Sequence, residues 1–283
     1  MQSPYLSRYD RMCDHAAAQV IARYSTSFSL STRLLAPAVR RDIRNLYAVA
    51  RIADEIVDGT AQAAEGTDPA AALDAYEAQI LAAPAQRFHT DPVVHAYANT
   101  ARRCEFDPEH LRAFFASMRR DLTQTTFTAD EVDAYVYGSA EVIGLLCLRA
   151  FLADVPVPHA HFPQLEAGAR ALGSAFQKVN FLRDFGEDSA ALGRRYYDLS
   201  DAKKDELVAE IYAELDIARQ AIPLLPRSAR VGVQAAEALF RELADIAAAT
   251  PTVDLAATRV SVPNITKLRI TARALTRGAR RLP

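Results

Sequence analysis

Apolar residues return at intervals of three and four along almost the entire chain, and strand-like alternation is scarce. A helix patterned this way exposes a greasy stripe that has to be buried against other helices, so the pattern predicts an all-α bundle. Chain breakers agree with it. The 10 glycines and 14 prolines among 283 residues fall below the usual ~12%, and most of them punctuate the ends of periodic segments. Helices are expected near 10–24, 38–58, 70–83, 91–104, 108–122, 130–153, 162–188, 201–220, 227–249 and 264–279. The connections between them are short, and no internal repeat is present. The economical reading is one all-α domain over residues 1–283.

Half of the residues are apolar, 24% are charged, and the net charge is −2. This excludes a disordered tail protein and argues against nucleic acid as a partner, because no global positive charge is available to hold phosphates. Cys13, Cys104 and Cys147 are far apart and form no CxxC pair, so neither a zinc site nor a disulfide framework is indicated, and a reducing, cytoplasmic setting is expected. The first fifteen residues lack the apolar run of a signal peptide. The most apolar stretch, residues 142–155, is short and carries Arg149 and Asp154, so it is not expected to span a membrane. From Arg259 onward there are seven basic residues and no acidic one, which leaves 26 basic against 35 acidic in residues 1–258. Two readings of the 264–279 helix follow: peripheral contact with anionic lipid at the inner membrane face, or a solvated helix whose arginines offset its own dipole.

Two acidic segments carry chemistry. In YAVARIADEIVD (47–58), residues four apart lie about 40° apart around a helix, so Asp54 and Asp58 share a face, with Arg51 and Tyr47 on the same stripe. A lone DxxxD pair is usually just a solvated surface. The second segment, QKVNFLRDFGED (177–188), repeats the spacing at Asp184 and Asp188, with Asn180 one turn back and Gln177 close to that side. Polar groups set among Ala175, Phe176, Val179, Phe181 and Leu182 are costly unless an ion or polar ligand satisfies them. Carboxylate and amide oxygens suit Mg²⁺, which binds few protein carboxylates together with phosphate oxygens. Two such helices suggest a diphosphate held between them, with Arg51 and Arg183 neutralising it directly. An ordinary interhelical salt-bridge network is the competing reading.

At these residues the chain resembles the squalene/phytoene synthase family, the head-to-head prenyl diphosphate condensing enzymes, and within it the bacterial phytoene synthase type. DEIVDG (54–59) after YAVAR (47–51) is similar to the first aspartate motif. FQKVNFLRDFGED (176–188), followed by LGRRY (192–196), is similar to the second. YSTSF (24–28), YVYGSAEVIG (135–144) and RVSV (259–262) extend the likeness over roughly residues 15–275. The resemblance implies an isoprenoid-synthase-type helical bundle around a deep central cavity. It implies that Asp54, Asp58, Asp184 and Asp188 hold Mg²⁺ (Mn²⁺ as an alternative) with help from Asn180. Tyr24, Ser25, Ser27, Tyr47, Arg51, Gln177 and Arg183 would contact diphosphate or the reacting carbons. Tyr137 would stand near the cation, and Arg194 and Arg195 would form part of a flap. Some relatives carry tyrosine where Phe240 stands, so any hydroxyl contact there is missing.

The reaction so implied joins two geranylgeranyl diphosphates through a cyclopropyl diphosphate to give phytoene, a carotenoid precursor, with diphosphate released and no NADPH. The diphosphate or a tyrosine hydroxyl would take the proton. Phe28, Val142, Leu145 and Leu146 are candidates for cavity wall or for plain core. Two alternatives remain open: condensation of farnesyl diphosphate to dehydrosqualene or squalene, and a non-catalytic relative acting as an assembly or membrane-associated scaffold.

Overall fold

Aspartate–proline pairs set several helix starts. In the computed structural model, which describes residues 3–187 and 193–279, Asp68, Asp91 and Asp107 accept backbone N–H bonds at the first turn of the helices α5 (Pro69–Ala82), α6 (Pro92–Cys104) and α7 (Pro108–Thr123). Each such cap stabilises its helix by about 1 kcal/mol, and proline at the next position costs nothing because that N–H has no intrahelical partner. Before these come α1 (Pro4–Tyr24), α2 (Thr26–Thr32), α3 (Pro37–Val57) and α4 (Thr60–Ala63). After them come α8 (Ala129–Val136), α9 (Val142–Leu152), α10 (Phe162–Arg183), α11 (Phe185–Glu187), α12 (Asp201–Ala221), α13 (Arg227–Ala249), α14 (Thr252–Ala257) and α15 (Asn264–Ala279). No strand occurs among the described residues; Thr126 and Arg195 form an isolated bridge.

The long helices match the expected segments to within a few residues, with exceptions that have physical causes. α1 begins at Pro4 rather than near residue 10, and α2 and α14 are short helices that periodicity over a longer window does not register. α8 and α9 are one rod, joined by a π-turn at Tyr137–Glu141. The rod, Ala129–Leu152, is by length and composition alone sufficient to cross a membrane, which reading residues 142–155 in isolation had excluded. Here it is an element of the bundle. Its Ala140 and Gly144 interlock with Gly173 and Ala169 of α10. A Cβ on Gly173 would lie 2.4 Å from the Ala140 carbonyl oxygen, and one on Gly144 would lie 2.2 Å from that of Ala169. The crossed pairing, 140 with 173 and 144 with 169, makes the two helices antiparallel with their backbones in direct contact.

Two large apolar clusters, with two smaller ones, form the interior. One gathers Leu46, Val49, Leu73, Ile80, Tyr97, Phe115, Val142 and Leu146 from α3, α5, α6, α7 and α9. The other gathers Leu182, Leu207, Ile211, Leu215 and Phe240 from α10, α12 and α13. Phe28 of α2 joins them: its ring centroid lies 6.2 Å from Tyr47, 5.8 Å from Phe176 and 5.4 Å from Phe240, while Phe176 and Phe240 stack at 3.6 Å. Val142 and Leu146, candidates for cavity wall, are core residues without exposure. This aromatic cluster lies in the seam between α3 and α10. A small hollow of about 10 Å³, partly open to solvent, lies behind the end of α10, lined among others by Phe181, Leu182, Arg194 and Tyr196.

Candidate active site

α3 ends at the first aspartate motif. Asp54 sits in its last turn, Asp58 is the C-cap, and Gly59 at φ 101° turns the chain away, a left-handed geometry that costs glycine nothing. α10 also ends at its motif, with Asp184 as C-cap after Arg183. This corrects the expectation of a helix continuing through residue 188: Asp184 is not in mid-helix, and Asp188 lies outside the described residues. A carboxylate at a helix carboxyl end is disfavoured by ~0.3–1 kcal/mol, because the dipole there is already negative. Two helices that both end in aspartate therefore create a negative potential that a cation relieves.

Two cross-links bring these ends together. Low in the seam, Phe28 bridges Tyr47 of α3 and Phe176 of α10. Higher up, Arg194 donates to the Asp58 carboxylate at 2.7 Å and to the carbonyls of Val57 and Asp121, both at 2.9 Å. The Asp121 carboxylate accepts from the Tyr135 hydroxyl at 2.8 Å and the Tyr196 hydroxyl at 3.1 Å, and Tyr196 stacks on Phe181 of α10 at 4.2 Å. Tyr47 precedes Asp54 by seven residues and Phe176 precedes Asp184 by eight, so α3 and α10 run in the same sense and present their aspartates at one end of the bundle.

The first motif is rich in acid. Asp54, Glu55, Asp58 and Asp121 face two guanidiniums, Arg51, 3.5 Å from Asp54 and 3.8 Å from Glu55, and Arg194. Burial pushes the Asp54 carboxyl up to about 7; Arg51 opposes the rise, while Asp58 and Asp121 add to it. Burial likewise lifts Asp121 to about 6, against the pull of Arg194 and the Tyr135 hydroxyl. At the second motif, Asp184 is held by Arg183 through two bonds of 2.9 and 2.5 Å and by Arg259 at 2.8 Å.

Three buried polar atoms on this seam have no hydrogen-bond partner: the Tyr47 hydroxyl, Arg51 Nε and Asn180 Oδ1. Such atoms are costly to bury, and a bound water or ligand would satisfy them. Among the described residues no three acidic, histidine or cysteine side chains close into a metal cage. An all-oxygen donor set spread over two helix ends fits a hard cation that shares its coordination with water and phosphate, so the residues present fit Mg²⁺ bound together with a diphosphate.

The other expected residues divide. Arg51 lies 5.3 Å from the ring of the exposed Tyr24, Ser25 caps α2 by accepting from the Phe28 N–H, and Ser27 and Gln177 are half-buried nearby on α2 and α10. Two more of the expected residues stand in exposed positions. Arg195 is exposed and donates its backbone N–H to the Thr125 carbonyl, and Arg194 is the buried arginine on the site. Tyr137 is 38% exposed, with Arg170 at 5.6 Å over its ring; Arg170 lies fourteen residues, about 21 Å of helix rise, before Asp184. The buried tyrosine of that segment is Tyr135. Asp121 was also missed, although Leu111, Phe114, Phe115, Met118 and Asp121 share one buried stripe of α7, and a carboxylate on an apolar stripe is itself a signal.

Known proteins supply an independent comparison. Residues 21–211 match the family described as squalene/phytoene synthase. The chain is 34% identical over 208 residues to the phytoene synthase of Arthrospira platensis, covering 70% of this chain and 63% of that one. It is 36% identical over 194 residues to the 15-cis-phytoene synthase of Synechocystis sp., covering 66% and 56%. With the 15-cis-phytoene synthase of a Paracoccus species, identity is 31% over 229 residues, covering 77% and 72%. The chain thus spans less than two thirds of the length of the first two relatives. In structure, a dehydrosqualene synthase crystallised with ligand superposes with a TM-score of 0.77 at 19% identity, covering 97% of this chain and 99% of that one. A squalene synthase from Alicyclobacillus acidocaldarius gives 0.67 at 21%, covering 95% of each. These superpositions establish a shared isoprenoid-synthase-type fold, and the sequence match over most of the chain gives the lineage: this protein belongs to the squalene/phytoene synthase family.

Proposed function

We propose that this chain is a prenyltransferase that joins two geranylgeranyl diphosphates head to head, through a cyclopropyl diphosphate, to give phytoene. The observation that carries the reading is the convergence of two aspartate-terminated helices on one end of a seam that contains unpartnered polar atoms and, below them, stacked aromatic rings. Identities of 31–36% to proteins named phytoene synthase support the choice of product.

Asp54, Asp58, Asp184 and Asp188, with the Asn180 oxygen, would hold Mg²⁺, which would supply Lewis-acid withdrawal of charge from a departing diphosphate. Arg51 and Arg183 stand beside the carboxylates and neutralise the diphosphate by charge-assisted bonds. The Tyr47 hydroxyl and Arg51 Nε are already desolvated, so they bind the diphosphate without losing water of their own. Phe28, Phe176 and Phe240 line the seam with carbon, exclude water from an allylic cation, and offer it π-faces. The carbon balance needs no reductant: two diphosphates and two protons leave the joined C40 skeleton.

Incubation with the C15 and C20 allylic diphosphates plus Mg²⁺, with and without NADPH, tests the reading. The expected result is phytoene from the C20 substrate, independent of NADPH. Dehydrosqualene or squalene from the C15 substrate alone would overturn the assignment of chain length, and no hydrocarbon from either would overturn the enzymatic reading.

A further inference from the structure

α3 starts amid positive charge. The segments 26–41 and 222–236 meet where the Ala36 N–H donates to the Ser228 carbonyl at 2.8 Å, and together they hold five arginines and no acidic residue. One of the five, Arg41, turns to Asp42 at 3.7 Å. Arg33, Arg40, Arg227 and Arg230, with Arg44 one turn further along α3, form no ion pair among the described residues. Guanidiniums gathered without a counter-charge repel one another and raise a positive potential that attracts anions.

Two of these side chains are fixed by the backbone. Arg40 folds back and donates through Nε and a terminal nitrogen to the Leu35 carbonyl, at 3.3 and 3.0 Å, beside the turn that Arg33 opens as the C-cap of α2. Arg230 grips the Leu225 carbonyl in the same way, at 3.1 and 2.7 Å. Arg44 lies four residues from Arg40, about 40° around the helix, and its Nε is buried without a hydrogen-bond partner. Burial, and the neighbouring charges of Arg40 and Arg33, hold Arg44 below the ordinary guanidinium range. The first turn of α3 has no side-chain cap, so its backbone N–H groups add to the same positive end.

We propose that Arg33, Arg40 and Arg44, at the amino-terminal foot of α3, form a binding site for a phosphoryl oxyanion of the inorganic diphosphate type, separate from the aspartate end of the same helix. Planar guanidinium forks match phosphoryl oxygens, and three of them together suit an anion of more than one charge. Such an anion satisfies the orphaned Arg44 Nε and relieves the repulsion among the three cations. Arg44 precedes Asp54 by ten residues, about 15 Å of helix rise. α3 therefore carries opposite charges at its two ends, and only the aspartate end needs a metal to hold a phosphoryl group. The choice of diphosphate over phosphate rests on the reading above, in which diphosphate is released at each turnover; the site itself does not.

The test is isothermal titration calorimetry on the full-length protein with divalent cations chelated, using inorganic diphosphate and inorganic phosphate as titrants. Wild type should bind diphosphate more tightly than phosphate, and the binding should weaken as salt rises from about 0.05 to 0.5 M. Arg33→Gln and Arg44→Gln should each weaken it about tenfold, while Asp54→Asn should leave it unchanged. Arg33 is exposed, so its replacement, with circular dichroism unaltered, separates lost binding from lost folding. Titration with the C5 allylic diphosphate distinguishes the source of the ligand: equal affinity assigns the site to the diphosphate head of an isoprenoid, and weaker binding assigns it to the free anion. Absence of binding by wild type, or undiminished binding by both Arg33→Gln and Arg44→Gln, overturns the proposal. So does loss of binding in Arg51→Gln or Arg183→Gln alone, which would place the anion at the aspartate end. Because the titration needs neither metal nor turnover, a protein that binds diphosphate here yet makes no hydrocarbon would refute the enzymatic reading and leave the anion site standing.

Discussion

Arg194 is the side chain whose removal tests the architecture of the site most sharply. Its side chain is only 7% exposed, and it holds the Asp58 carboxylate, two backbone carbonyls and, at 3.9 Å, the Asp121 carboxylate. Arg194→Met keeps the apolar stem and deletes every donor. Breaking a buried ion pair costs ~3–5 kcal/mol. Asp58 is 40% exposed and recovers water, so the lower figure, about 3 kcal/mol, applies. An unfolding entropy near 2.1 cal/mol/K per residue gives about 0.6 kcal/mol/K for a chain of this length, hence a fall in Tm of about 5 °C. The assay is thermal melting followed by far-ultraviolet circular dichroism on wild type, Arg194→Met, Asp58→Asn and the double variant. A coupling of about 1–2 kcal/mol between the two positions is expected. A drop of under ~1 °C for Arg194→Met, or additivity of the two changes, would refute the idea that this arginine ties the second motif to the first.

Other consequences follow from the same geometry. With divalent cations chelated, Asp54 and Asp121 retain protons in the fold, at about 7 and about 6, that the unfolded chain has lost. The folded state then binds more protons, so stability should fall as pH rises from about 4 to 7; Asp54→Asn should flatten that slope in melts from about pH 5 to 8, and an unchanged slope would contradict the raised Asp54 carboxyl. Gly144→Ala and Gly173→Ala each drive a Cβ to within 2.4 Å of a carbonyl oxygen, and each should cost about 1–3 kcal/mol, read as a lower urea midpoint with an unchanged m-value. Leu146→Ala empties a site with no solvent exposure and should cost about 2–5 kcal/mol in the same titration.

Local chemistry explains why so much of the fold could be read from the chain. The pairs Asp68-Pro69, Asp91-Pro92 and Asp107-Pro108 announce helix starts by themselves, and the face carrying Tyr47, Arg51, Asp54 and Asp58 follows from the helical repeat. What escaped depends on distant partners. Just past the end of α10, Gly186 packs closely on α14, where a Cβ would lie 2.3 Å from the Ala256 carbonyl oxygen, a contact made across seventy residues of sequence. Arg194 and Arg195 are neighbours with opposite fates, one buried on Asp58 and the other exposed, and no local rule separates them. Tyr135 and Tyr137, two residues apart and so about 200° apart around the helix, take different settings: Tyr135 is buried on Asp121 and Tyr137 is exposed. Asp121 could have been found from its place on a buried stripe, but its partners Tyr135 and Tyr196 come from separate segments.

If the paired aspartate ends of α3 and α10 hold a diphosphate through a divalent cation, neutralising either end has to stop the reaction. The decisive experiment is the turnover of purified Asp54→Asn and Asp184→Asn with C20 diphosphate across a range of Mg²⁺ concentrations, circular dichroism verifying the helical fold. Both variants should stay folded and lose turnover at every Mg²⁺ concentration. Near-normal turnover by either one would show that the diphosphate is held elsewhere.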